Sequence, residues 1–227
     1  MSPGSLDLES SERLARARAC AERGQWPEAE QLYREVIGRL PDQVDALEGL
    51  GLAALASKRP AEALEWLERA RERAPKSARI IGNLGLALRH NGQLERAIVR
   101  YEEAFALDPT ETSVLVNRAR AEREAGRLAA AIESFQRAAA LRPKAAGIWS
   151  MLSNVLREAR RYPEALEAAR RALDLDPWFF EAHLNEGAVL HGMGNPADAA
   201  ASYLVASSHP PLRTAALGNL AAALRSS

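Results

Sequence analysis

Several things that other proteins of 227 residues carry are scarce here. There is one cysteine, Cys20, which excludes an intramolecular disulfide and a cysteine-rich metal site and leaves a small buried side chain as its expected role. Net charge is absent: thirty Lys and Arg balance thirty Asp and Glu, so no overall field draws the chain to nucleic acid or anionic lipid. No apolar run approaches the roughly 20 residues that span a bilayer. Met1 to Ser11 also lacks the basic start and apolar core of an export signal. A cytoplasmic location, with no nucleic-acid and no membrane partner, is the expectation.

Catalytic signatures are missing too. GxGxxG, GxxxxGKS/T, GxSxG and HExxH do not occur. The four histidines, His90, His183, His191 and His209, are scattered, and although His183 and Glu186 share a helix face at i, i+3, no second ligand cluster accompanies them. The sequence therefore offers no catalytic residue, no metal site and no cofactor, and is not read as an enzyme.

What is present is a repeat. Pro41, Pro75, Pro109, Pro143, Pro177 and Pro211 follow one another at intervals of 34 residues. At about one proline in twenty, six in strict register is a chance event on the order of one in 10⁷. Twelve residues before each stands Ala29, Ala63, Ala97, Ala131, Ala165 or Ala199, and twenty-four before each a small residue, Ala17, Gly51, Gly85, Ala119, Ser153 or Gly187.

Each unit reads as two helices. Apolar stripes at i, i+3, i+4 and i+7, such as Leu47, Leu50, Gly51 and Ala54, mark the first, and a second stripe surrounds the repeating alanine. Gly24, Gly92, Gly126 and Gly194 end first helices; Pro27, Pro60, Pro163 and Pro196 open second ones; the period-34 proline stops them. The small column fits helix axes about 8 Å apart. Tyr33, Tyr101, Phe135 and Tyr203 share one second-helix column, with Leu67 and Ala169 as exceptions, and Trp149 takes the first-helix column of Leu47, Ile81 and Leu115. All are assigned to the core, as is His183.

These columns resemble the tetratricopeptide repeat family over residues 10 to 213, most closely at Asn83-Leu84-Gly85 and from Tyr101 to Pro109. The resemblance implies an all-α fold, a right-handed α-solenoid superhelix of six helix pairs with the first helices lining its inside. The units run 10–43, 44–77, 78–111, 112–145, 146–179 and 180–213, after a disordered tail over 1–9. Arg13 and Arg16 replace apolar residues in the first unit, as in a terminal cap with one face in water. Arg118 and Glu186 interrupt an apolar column, with the rim as their expected destination. Residues 214–227 restart a first helix, with Leu217, Leu220, Ala221 and Leu224 on core columns and little polarity opposite. That helix is either a cap, an end used for self-association or docking, or the sign that the chain is a piece of a longer protein.

The first-helix stripe opposite the core is the candidate groove. Asn83, Asn117, Asn185 and Asn219 are equivalent residues, interrupted by Met151 and preceded by Ala15 and Gly49. Asparagine is a poor helix former whose amide both donates and accepts, matching an extended main chain. The column resembles the asparagine ladder of the O-GlcNAc transferases; an equally simple reading is that these amides bond a neighbouring helix. Arg79, Arg89, Arg120, Arg123 and Arg157 add cations to the stripe, with Asn154 among them. Gly82, Val116 and Ser150 stand where the family's chaperone-tail clamp has its first lysine, which speaks against that activity. The expected function is a scaffold binding an extended protein or peptide segment, acidic or carboxylate-bearing. The alternative is the substrate-recruiting arm of a larger enzyme, such as a glycosyltransferase, with its catalytic part outside this chain.

Overall fold

The spacing of proline becomes a spacing of helix ends. A computed structural model describes residues 3–225, with side chains from Leu8 onward. Its helices pair as α1 (Pro3–Glu22) with α2 (Trp26–Arg39), α3 (Val44–Ala56) with α4 (Pro60–Arg73), and α5 (Ala78–His90) with α6 (Leu94–Leu107). The next pairs are α7 (Thr112–Glu124) with α8 (Leu128–Leu141), α9 (Ala146–Glu158) with α10 (Tyr162–Leu175), and α11 (Phe180–Gly192) with α12 (Pro196–Ser207). A 3₁₀ turn, Pro210–Leu212, leads into a single helix, α13 (Arg213–Arg225). The described residues thus form an all-α solenoid of six helix pairs and a final helix. They divide into two compact units between Val114 and Leu115, inside α7.

Within the first unit each helix packs on its sequence neighbours, and the first helices α1, α3 and α5 touch in succession. In the second unit α9, α11 and α13 do the same. Such nearest-neighbour packing makes stability a sum of local terms.

The crossing inside each pair rests on the small column. A Cβ on Gly85 would stand 2.8 Å from the Tyr101 ring, one on Gly187 2.7 Å from Tyr203, and one on Gly51 2.5 Å from Leu67. Ser153 fills the same place by donating its hydroxyl to the Ala165 carbonyl at 2.8 Å, so the one polar member of the column is satisfied. Tyr33, Tyr101, Phe135, Tyr203, Leu67 and Ala169 are all buried, as is Cys20. Gly49 breaks the asparagine column because a Cβ there would meet the Tyr33 ring at 2.3 Å.

Every turn between paired helices ends in the left-handed region. Gly24, Gly92, Gly126 and Gly194 have φ of 74 to 81°, and Lys58 and Arg160, in the same column, adopt φ of 58° without being glycine. The hydrogen bonds are those of a Schellman motif in all six cases; for example, Arg59 N–H reaches the Ala54 carbonyl at 2.8 Å and Arg161 N–H the Leu156 carbonyl at 2.9 Å.

At the other end of each unit, Leu40, Ala74, Asp108, Arg142 and Asp176 stand before the periodic proline with φ between −126 and −145°, the extended backbone that a following proline imposes. The sixth proline behaves differently. Pro211 lies in the 3₁₀ turn, and α12 has already ended at Ser207, because Pro210 ahead of it adds a second ring without an N–H.

Four expectations need correction. Helix α1 starts at Pro3, ahead of the boundary placed at residue 10, and Glu9 is tied by ion pairs to Arg13 and Arg39. Trp149 is half-buried rather than core, its indole N–H donating to the Pro143 carbonyl at 2.9 Å; His183, also half-buried, makes the equivalent bond to the Pro177 carbonyl at 3.0 Å. Arg118 and Glu186 are held by interior partners. Arg118 Nε donates to Glu122 at 2.7 Å and Ser134 donates to the other Glu122 oxygen at 2.8 Å, while Ser202 donates to Glu186 at 3.0 Å and Arg170 lies 3.5 Å from it. Finally, Leu217 and Leu224 of α13 are 45% and 61% exposed while Ala216 and Ala223 are buried. The columns of Leu217 and Leu224 face a helix's own partner, and α13 has none in the described structure.

No helix among the described residues is long and apolar enough to cross a membrane. Glycine relieves the left-handed strain that a side chain suffers there, so Lys58→Gly and Arg160→Gly should each raise stability by about 0.5–1 kcal/mol in denaturant titrations. Glu122→Leu leaves the Arg118 guanidinium without its buried carboxylate and should lower stability by about 2–3 kcal/mol. Adding Arg118→Leu and Ser134→Ala, which copies Leu152, Leu156 and Ala168 of the next unit, should recover that loss.

Candidate functional site

The first helices carry the candidate residues because their inner stripe is left over once the apolar columns are packed. In the first unit that stripe is internally bonded. Glu48, only 1% exposed, accepts 2.7 Å from the Asn83 amide N–H and pairs with the Arg79 guanidinium. Arg79 also reaches Asp45 at 3.2 Å. Burial pushes the Glu48 carboxyl above its ordinary pKa, against the opposing pull of Arg79 and the Asn83 hydrogen bond. Arg89 lies beside His90, 3.3 Å from its Nε2. Arg79 and Asn83 of the predicted set thus brace α5 against α3.

The second unit repeats the device once. Asn185 donates to the Ser150 carbonyl at 3.1 Å and to its hydroxyl at 2.9 Å, again reaching one position back on the preceding first helix. Asn83 meets Glu48 and Asn185 meets Ser150 at the same separation of 35 residues, so in both cases the column bonds neighbouring first helices. Asn117 is half-buried and Asn219 exposed on α13. Arg123 is paired with Glu158 at 3.0 Å, and Arg120, exposed, lies 3.3 Å from the Met151 sulfur.

Arg157 is bonded at one end. One terminal nitrogen donates to Asn154 Oδ1 at 2.9 Å, but its Nε–H is shielded from solvent with no acceptor within the protein. Such an N–H costs about 1–3 kcal/mol until something accepts from it. No group of three or more His, Cys, Asp or Glu side chains among the described residues could hold a metal ion.

The tetratricopeptide repeat family matches residues 14–78, 83–146 and 150–212, each stretch covering two helix pairs. This chain belongs to that family. No curated protein matches the repeat chain by sequence. Among solved structures, the repeats superpose on PilF of Pseudomonas aeruginosa with a TM-score of 0.76 at 20% identity, covering 91% of this chain and 94% of that one. They superpose on the APC/C hetero-tetramer Cut9–Hcn1 with a TM-score of 0.77 at 18% identity, covering 97% of this chain but 46% of that one. A third neighbour is YrrB, a repeat protein with an unusual peptide-binding site, at TM-score 0.61 and 18% identity over 75% of this chain and 88% of its own. At these identities the likeness is one of fold.

Sequence columns found the stripe but not Glu48 or Ser150, the acceptors that occupy part of it. Their signal was available as a polar residue in a column otherwise filled by Leu14, Gly82, Val116 and Leu184. Asn83→Ala should lower stability by about 1–3 kcal/mol, because it removes a bond from a buried carboxylate. A carboxyl whose folded pKa is raised contributes stability that is complete below the unfolded pKa and lost as pH climbs through the folded one. Glu48→Gln should therefore match or exceed native stability at pH 7, and the native protein should catch up as pH falls toward the usual carboxylate range. Urea titrations of both variants at two pH values check the sign.

Proposed function

We propose that the chain is a protein-interaction scaffold that binds an extended, acidic or carboxylate-ended peptide segment along the first-helix face of residues 115–225. The observation that carries this reading is the unbonded, shielded Nε–H of Arg157 beside the half-buried amide of Asn154. A carboxylate placed there would take a charge-assisted hydrogen bond, the strong kind in this environment. Arg120, exposed on the neighbouring helix, supplies a second cation. The amide nitrogen of Asn185 holds Ser150, and its Oδ1 is suited to accept from a peptide main chain. The peptide-binding site of the structural neighbour YrrB is consistent with this use of the fold.

Binding should be salt-dependent, since Arg120 is exposed and its attraction for the guest's carboxylate is screened by salt. The test is a fluorescence-polarisation screen of acidic peptides ending in a free carboxylate against the native protein. For any peptide that binds, Arg157→Ala combined with Arg120→Ala should weaken affinity by about tenfold or more at unchanged melting temperature, each charge-assisted contact contributing about 1.5–3 kcal/mol. Equal affinity in the double variant, or no binding from the whole acidic set, sinks the reading.

A further inference from the structure

The second helices hold a cavity that the peptide-binding reading does not use. It lies between α8 and α10 above α9, has a volume of about 870 Å³, and includes Trp149, Leu152 and Leu156 in its lining. It opens to solvent, so a side chain from outside the chain can reach its floor. The repeat itself shows what is missing.

In the first unit, the equivalent slot between α2 and α4 is filled from within. Trp66 and Ile37 pack there, partly buried, against Leu47 and Ala70. The indole N–H of Trp66 donates to Glu62 at 3.3 Å, and the guanidinium groups of Arg69 and Arg34 lie 5.0 and 5.7 Å from its ring centroid. The second unit replaces the two fillers by alanine: three repeats on, residue 102 + 66 is Ala168 and residue 102 + 37 is Ala139, and both line the cavity. Two of the three groups that grip the indole are kept. Glu164 stands where Glu62 does and Arg171 where Arg69 does, both on the cavity wall, with Gln136 in place of Arg34. Arg161 orients Glu164 through hydrogen bonds of 2.7 and 2.6 Å, one to each oxygen, where Arg59 holds a single oxygen of Glu62; each Glu164 oxygen keeps a further lone pair for an indole N–H.

We infer that this cavity is a receptor for a tryptophan side chain presented by a partner polypeptide. The apolar floor takes the ring, Glu164 accepts the indole N–H, and Arg171 covers the face. Trp149, larger than the Leu47 it corresponds to, forms an aromatic floor for an incoming ring and is itself fixed by its bond to the Pro143 carbonyl at 2.9 Å. A carboxylate and a cation two turns apart on the α10 wall of an apolar groove select an aromatic ring with a donor over an aliphatic chain. The site is separate from the first-helix face, and its failure would leave the acidic-peptide reading untouched.

The probe is N-acetyl-5-fluorotryptophanamide, followed by its ¹⁹F resonance against the intact chain, which keeps the four native tryptophans silent. The native protein should give a saturable shift that N-acetylleucinamide does not displace. Ala168→Trp should raise the melting temperature and weaken the probe about tenfold or more. Ala139→Ile, a smaller filling that keeps the fold if Ala168→Trp does not, should weaken it in the same direction. A shift that never saturates, one that the leucine amide displaces equally, or one unchanged in both filled variants overturns the inference.

Discussion

Everything in this molecule depends on two helices crossing closely enough that one contributes almost no side chain. A ring laid against Gly85 or Gly187 leaves no room for a Cβ, and Ser153 is admitted only because its hydroxyl finds the Ala165 carbonyl. With separation fixed by contact, and each turn fixed by a residue in the left-handed region, the pair has little freedom to rearrange. Variation is then confined to positions outside the crossing itself, and those positions carry the polar groups.

The polar groups inside the solenoid follow from the same constraint. Glu48, Glu122 and Glu186 each replace an apolar residue of their column, and each is matched by a donor from an adjacent helix: Asn83, Ser134 or Ser202. A buried carboxylate is tolerable only with such company. These bonds make individual repeats distinguishable although their backbones are alike; Asn83 with Glu48 sets α5 against α3, and Asn185 with Ser150 sets α11 against α9.

Periodicity made the helix pairs, the small crossing column and the aromatic core legible, because those features are dictated within one unit. Features that depend on the next helix were harder to read. The Asn83 to Glu48 bond spans 35 residues, one step off the period, so comparing equivalent positions does not reveal it. Lys58 and Arg160 share their backbone with four glycines, yet nothing in a lysine or an arginine announces a positive φ. The exposure of Leu217 and Leu224 needed the knowledge that their column serves a partner helix. That Arg79, Asn83 and Asn185 of the candidate stripe bond to the preceding first helix emerged only from the hydrogen bonds and ion pairs.

The contact between successive first helices has a metric consequence for any guest. Packed helix axes lie about 8–10 Å apart, and an extended chain advances about 3.3 Å per residue. One repeat therefore meets roughly every third residue of a segment laid across it. An array of this kind reads its guest with a coarse comb, sampling the same strand position in each third step and remaining blind to the two residues between.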